Sequence, residues 1–405
     1  MRLIERPTLP IPSVDRFVRD FGPVYAASGF VGFVFAATGP LAIILSVGTG
    51  AGLTQEQLAS WVFGVFFVNG AITLVMSWIY SQPLCFFWTI PGTVLVGSSL
   101  QHLSFPEVIG AFYATGLLML FLGCSGLIKR MMQLVPMPIV MTMVAGVFLR
   151  FGLDLIRALH TDVAITAPMV VTFLLLSTFT TIGRRLPPLI GALLVGAFIA
   201  IALGRIDHSS LSAFQVVKPI IPTPAWSISA LAELVVPLLI TVVVVQNGQG
   251  FAVLSAGGHS PPINAVTVMC GVGALISASV GAVSSCLTGP TNALIISSGT
   301  RERQYTAAVF TGILAVAFGV MAPTFTRLML ATPKEYIMTL AGLAMLRVLQ
   351  AAFVTSFRDR FSLGALVTFI VTIADLPIFN IGAAFWGLLA GVLTSWFLER
   401  ADFRT

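Results

Sequence analysis

Thr89-Ile-Pro-Gly-Thr-Val-Leu-Val-Gly-Ser-Ser99 and Thr288-Gly-Pro-Thr-Asn-Ala-Leu-Ile-Ile-Ser-Ser298 are two copies of one segment, 199 positions apart, with Thr, Pro, Leu, Ser and Ser in the same register. Both lie in hydrophobic surroundings, and both put Pro where a membrane helix would have to be continuous. Paired Gly/Pro-interrupted hydrophobic segments at matching places in two halves of a chain point to a transporter binding site.

The repetition continues outward. Arg130, Met132, Pro136, Met141, Thr142, Leu149 and Arg150 recur 197 positions later as Arg327, Met329, Pro333, Met338, Thr339, Leu346 and Arg347. The chain therefore divides into an N-terminal segment (1–23), a first repeat of seven elements (24–204), a polar linker (205–223) and a second repeat (224–400). Seven is odd, so the second repeat inserts upside down relative to the first, as in secondary transporters.

Composition sets the class. Hydrophobic residues make up 57% of the 405 and charged residues 9%, against roughly 25% charged in soluble domains. Mean hydropathy is +1.00. The fold class expected is an all-α polytopic membrane protein, a 7+7 inverted-repeat transporter with two short strands and half-helices in elements 3 and 10. Spans of about 20 apolar residues are expected near 24–47, 55–79, 107–128, 137–159, 164–180, 188–204, 226–246, 263–282, 306–330, 335–356, 362–376 and 379–398. The broken segments, near 84–100 and 284–299, are elements 3 and 10. Residues 1–23 lack the apolar run of a cleavable signal.

Basic residues orient the chain. A cytoplasmic N-terminus puts Arg2, Arg6, Arg16 and Arg19 inside. Fourteen crossings then bring Lys129/Arg130, Arg184/Arg185, Arg301/Arg303, Arg358/Arg360 and Arg400/Arg404 inside as well, which is 14 of the 21 Lys and Arg. Both termini are thus expected in the cytoplasm of a cell with the chain in its inner (plasma) membrane. The net charge of +6 follows from this bias and gives no ground for a nucleic-acid partner.

Each broken segment reads as a short extended piece followed by a half-helix, starting near Pro91 and near Pro290, where a Pro costs no hydrogen bond. Helix starts expose N–H groups and the positive dipole end, which favour an anion. The candidate anion contacts are Pro91, Gly92 and Thr93 in one copy and Thr288, Pro290, Thr291 and Asn292 in the other. Gln246 and Asn247 end a very apolar span, and buried amides need partners, whether protein, water or substrate. Thr38 and Gly39 belong to a Gly-Pro break within the first span. Trp88, with Phe33, Phe35, Phe86 and Phe87, could wall a ring. Glu233 is a proton-coupling candidate, being a carboxylate about two turns into its span. Arg150, Asp154 and Arg157 share one helical stripe, so Asp154 can pair with both arginines.

Other chemistry finds little support. The four His residues have no metal-ligand spacing, the four Cys form no CxxC, and no phosphate-binding GxxxxGK[ST] occurs. No metal, no cofactor and no enzymatic centre is expected.

Phe35-Ala-Ala-Thr-Gly-Pro40, Phe86-Phe-Trp-Thr-Ile-Pro-Gly-Thr93, Met137-Pro-Ile-Val-Met141 with Gly146-Val-Phe-Leu-Arg150, and Gln246-Asn247 resemble the benzoate/proton symporter (BenE-type) family over nearly the whole chain. The resemblance implies the fold of the uracil and nucleobase permeases, with a core domain (24–133, 224–331) and a gate domain (134–204, 332–400). It places the site between elements 1, 3, 8 and 10. It also implies import of a small aromatic carboxylate by proton symport with alternating access, and allows a homodimer. The chain departs from the family in element 10, where Thr288-Gly-Pro-Thr-Asn292 stands in place of a frequent Gly-Gly-His. It also lacks the glutamates of nucleobase permeases, Glu233 excepted. Another organic anion, a nucleobase, or channel-like anion conduction remain as alternatives.

Overall fold

The computed structural model describes residues 4–128, 136–178, 188–206, 214–297, 299–358, 360–376, 378 and 383–403. Arg2, Lys129, Arg130, Met132, Arg184, Arg185, His208, Ser298 and Arg404 lie outside the described residues, as does the expected core–gate boundary at 133/134.

Among the described residues, seven helices are long and apolar enough to span a membrane, and six shorter apolar helices accompany them. A short amphipathic helix, α1 (Val14–Asp20), comes first. The first repeat contains α2 (Pro23–Ala37), α3 (Gly39–Gly50), α4 (Gln55–Tyr80), β1 (Phe86–Trp88), α5 (Ile90–Ser99), α6 (Phe105–Ser125), α7 (Met137–Thr161), α8 (Val163–Thr178) and α9 (Pro188–Ala202). The second contains α10 (Ile228–Ala256), α11 (Ile263–Ser279), β2 (Ser285–Leu287), α12 (Gly289–Ile296), α13 (Tyr305–Val320), α14 (Ala322–Leu330), α15 (Lys334–Ser356), α16 (Ser362–Ala374) and α17 (Ala383–Leu398). This is the expected inverted-repeat plan, with two differences. The span expected over 226–246 does not end at Gln246 and Asn247 but runs on through them to Ala256. The span expected over 306–330 ends at Val320, and α14 starts separately after Met321, with Pro323 in its first turn. Proline has no N–H to continue the preceding ladder and is well placed to open a new helix.

Local sequence sets the ends. Thr54 and Gln57 cap each other's backbone N–H at the start of α4 (2.8 and 3.2 Å), a reciprocal capping box. The first span breaks at Thr38, as its Gly-Pro predicts, into α2 and α3. Spans α4 and α10 contain π-helical turns at Gly64–Val68, Leu231–Val235 and Thr241–Gln246. Such turns concentrate at functional sites.

The helices fall into two packing groups. In one, α6 lies on α11, and α13 on α4 and α2, with α12 against α2; in the other, α7 lies on α15, α8 on α9, and α16 on α7 and α17. Helix α3 crosses between them to pack on α15. At that contact Gly39 is required, because a Cβ there would overlap the Ala344 side chain.

The strands pair antiparallel at the centre, Phe86 with Leu287, Phe87 with Cys286 and Trp88 with Ser285. Phe87 and Cys286 are themselves 199 positions apart, so the pairing is centred on repeat-equivalent residues. The inverted symmetry of the chain runs through this pair. Beyond the strands, Thr89 N donates to Ser284 O and Thr288 N to Cys85 O, both 3.1 Å.

Two faces of the molecule can be told apart. On one, Tyr25 meets Thr300 at 3.1 Å, Arg303 donates to the carbonyls of Asp20 and Arg19, and Tyr80 donates to Glu5 O. This N-terminal face also holds the ends of α8, α12 and α15, because successive elements cross in alternation. The opposite face carries the linker, fastened by Val217 N to Val320 O and Ala225 N to Pro106 O, both 2.9 Å.

Candidate functional site

A two-stranded sheet inside a membrane leaves an unpaired edge on each strand, and no water is there to satisfy it. Side chains do so here. Thr73 of α4 accepts from Phe86 N (2.8 Å) and donates to Phe86 O (3.2 Å). Asn292 of α12 accepts from Cys85 N (3.1 Å) and donates to Cys85 O (3.3 Å) and Thr288 O (2.6 Å). Asn247 of α10 accepts from Leu287 N at 2.7 Å. Both Asn residues are fully buried. Their amides are thus occupied as strand clamps, an arrangement the residue types alone do not reveal.

The half-helix starts differ. At α5, Thr89 accepts from Gly92 N (3.1 Å), its hydroxyl meets Thr241 (3.2 Å), and Thr93 donates back to Thr89 O (2.9 Å). That start is capped by its own residues. At α12, Thr288 makes no side-chain cap bond, and among the described residues no side chain accepts from the first-turn N–H groups. A Cβ at Gly289 would lie 2.5 Å from Gln249 Cγ, so glycine lets the Gln249 side chain lie directly over this start.

Between the packing groups is a cavity of about 1320 Å³, larger than the roughly 300–1,000 Å³ of closed ligand sites. Pro91 and Pro290, the openings of both half-helices, line its inner end with Phe35, Gln246 and Gln249. Phe148 of α7 and Phe173 of α8 form the facing wall, and among the described residues Arg347 of α15 is the one charged residue in its lining. The lining runs out through Val24, Ser177, Ser297 and Thr355, so the cavity opens on the N-terminal face.

Of the sequence-predicted residues, then, the structure brings Pro91, Pro290 and Gln246 together on the cavity wall. The others lie behind it. Thr38 is buried and donates to Phe35 O at 3.1 Å, while Gly39 belongs to the α3–α15 contact. Gly92 abuts Thr89 and Leu238, and the Thr291 methyl faces Gly32. Trp88 is buried against Phe66, at 5.1 Å between ring centroids, in an interior cluster with Phe33, Phe87 and Phe318. Among the five aromatics singled out in the sequence, Phe35 alone lines the cavity, and its companions Phe148 and Phe173 come from α7 and α8. Gln249 also went unselected, although its spacing of three from Gln246 puts both on one helix face. Neither glutamine amide has a partner among the described residues.

Glu233 faces the opposite side. It is buried, accepts from Ser99 and lies 2.9 Å from His102 Nε2. Asp154 pairs with Arg157 at 2.9 Å, while Arg150 is in no ion pair among the described residues; the expected double pairing is therefore half met.

The family model described as benzoate membrane transport protein (BenE) matches residues 19–397. The chain belongs to this family. It is 30% identical over 376 residues to the inner membrane protein YdcO of Escherichia coli K12, covering 91% of this chain and 94% of that one. It is 27% identical over 379 residues to the benzoate membrane transport protein of Acinetobacter baylyi, covering 92% and 94%. Among solved structures, the transmembrane domain of the cyanobacterial bicarbonate transporter BicA superposes with a TM-score of 0.61 at 15% identity, covering 92% of this chain and 98% of that one. The murine anion transporter Slc26a9, in its inward-facing state, gives 0.61 at 13% identity, covering 95% and 70%. Those two likenesses concern the fold alone, and they agree with a polytopic helical inverted-repeat architecture. The family is one of membrane transport proteins.

Proposed function

We propose that this chain imports a small aromatic carboxylate of the benzoate type by proton symport with alternating access. The observation that carries the reading is the cavity: apolar and aromatic along its walls, with two glutamine amides that have no partner among the described residues and both half-helix starts at its inner end. A benzoate-like anion divides in the same way, into a ring and a carboxylate. The carboxylate would take the first-turn N–H groups of α12 and the amides of Gln246 and Gln249, where the helix dipole favours negative charge. The ring would lie between Phe35 and the gate residues Phe148 and Phe173, gaining about 1.5–3 kcal/mol from burial of an apolar group of that size. Thr288, Thr291, Gly92 and Thr93 hold the helix starts in place from behind.

With the N-terminal face cytoplasmic, as the basic residues favour, the cavity is open inward. Glu233 then faces the outside next to His102, where a proton can be taken up. The name borne by the Acinetobacter relative supports the substrate class. The test is substitution at the uncapped start: Pro290 and Thr291 variants should insert into the membrane and lose benzoate uptake. Normal uptake by both would remove the site assignment.

A further inference from the structure

The large cavity has a smaller counterpart. On the opposite face a crevice of about 320 Å³ runs along the same seam between the packing groups. Its walls are repeat-equivalents of the cavity's walls. Leu95 and Ser98 line the crevice where Leu294 and Ser297 line the cavity, 199 positions on. On the gate side Val147 and Arg150 line the crevice where Ala344 and Arg347 line the cavity, 197 positions on. The crevice is thus the repeat-equivalent of the cavity on the other face, with about a quarter of its volume.

The arginines are what the two routes share chemically. Each is the fourteenth residue of its helix, α7 or α15, and so lies well inside the span. Both are exposed to their crevices. Arg347 donates to Gln350 Oε1 at 3.1 Å, and neither arginine is in an ion pair among the described residues. On the opposite face Arg157 is taken by Asp154, and Glu233 by Ser99 and His102; Asp375 also lines that crevice. A cation so deep in a span is costly unless it borders water or meets an anion, and low-dielectric walls focus its field into the crevice.

We propose that Arg150 and Arg347 are a matched pair of carboxylate-recruiting cations, one on each face of the membrane, each serving when its own route is open. This rests on the transport reading above and adds to it the step before binding. A guanidinium about one helical turn outward from the floor residues Val147 and Ala344 attracts the anion into the seam, and the half-helix start then holds it.

The experiment uses the full chain in proteoliposomes sorted by orientation, with labelled benzoate offered to either face. Arg347→Gln should raise the half-saturating concentration on the N-terminal face about tenfold, the low end of focusing effects, and change the other face little. Arg150→Gln should do the reverse. Arg347→Lys and Arg150→Lys should restore most of the loss, because charge rather than the guanidinium fork is required. Equal effects on both faces, unchanged half-saturation in either Gln variant, or no rescue by Lys would overturn the proposal. If the wild-type chain moves no benzoate, the transport reading itself falls.

Discussion

Replacing Asn292 with Ala separates a structural amide from a ligand amide. In the structure this one side chain makes three hydrogen bonds at the end of the strand pairing, where Cys85 faces Thr288: Cys85 N–H to its Oδ1, and its Nδ2 to Cys85 O and Thr288 O. Truncation leaves the Cys85 N–H buried without a partner, at a cost of about 1–3 kcal/mol. The two further bonds contribute about 0.5–1.5 kcal/mol each, although members of one network do not add in full. A loss of about 2–5 kcal/mol follows, a large fraction of ordinary stability. The assay is thermal unfolding of detergent-purified protein, followed by intrinsic fluorescence, with Gln249→Ala as the comparison. Gln249 has no partner among the described residues, so that variant should melt with the wild type while its half-saturating benzoate concentration rises severalfold. An Asn292→Ala protein that melts like the wild type yet cannot bind substrate would refute the reasoning and return Asn292 to the ligand site.

Further outcomes follow from the same geometry. Glu233→Gln removes the carboxylate held by Ser99 and His102, so gradient-driven accumulation should vanish while benzoate exchange persists; retained accumulation would clear Glu233 of proton coupling. Gly39→Val puts side-chain atoms into the α3–α15 contact at Ala344, which should favour opening of the far face. Impermeant maleimide should then label Leu95→Cys faster from that side, and unchanged labelling would show that Gly39 does not seal it. Glu399→Gln weakens the cap on α16, where the carboxylate accepts from Leu363 N (2.8 Å) and Gly364 N (2.9 Å). The expected loss is about 1–2 kcal/mol in thermal unfolding, with transport kinetics little changed.

The inverted repeat, the breaks at Pro91 and Pro290 and the split of the first span were legible because they depend on backbone. Proline and its register mark a helix start whatever surrounds it. What the polar side chains do was less legible. A sequence shows that Asn247, Asn292 and Gln246 sit in apolar surroundings, and burial demands partners for each. It does not show that a two-stranded sheet has two edges to fill, nor that Asn247 and Asn292 are the residues within reach of them. Thr73 gave no signal at all, as one hydroxyl in an apolar span. The aromatics failed for a related reason: Phe33, Phe87 and Trp88 pack into an interior cluster, and besides Phe35 the cavity takes its rings from Phe148 and Phe173 on helices remote in sequence. Arg347, by contrast, stood out early as the repeat partner of Arg150, and the two crevices give that pairing a physical meaning.

The central claim is that the purified chain, by itself, couples entry of an aromatic carboxylate to protons. It is tested most directly by labelled benzoate uptake into proteoliposomes with an inward proton gradient, compared with protein-free liposomes through which the neutral acid leaks. The account predicts saturable uptake well above the protein-free level, abolished when the gradient is dissipated. Uptake no greater than that of protein-free liposomes, or a flux that never saturates, would contradict it.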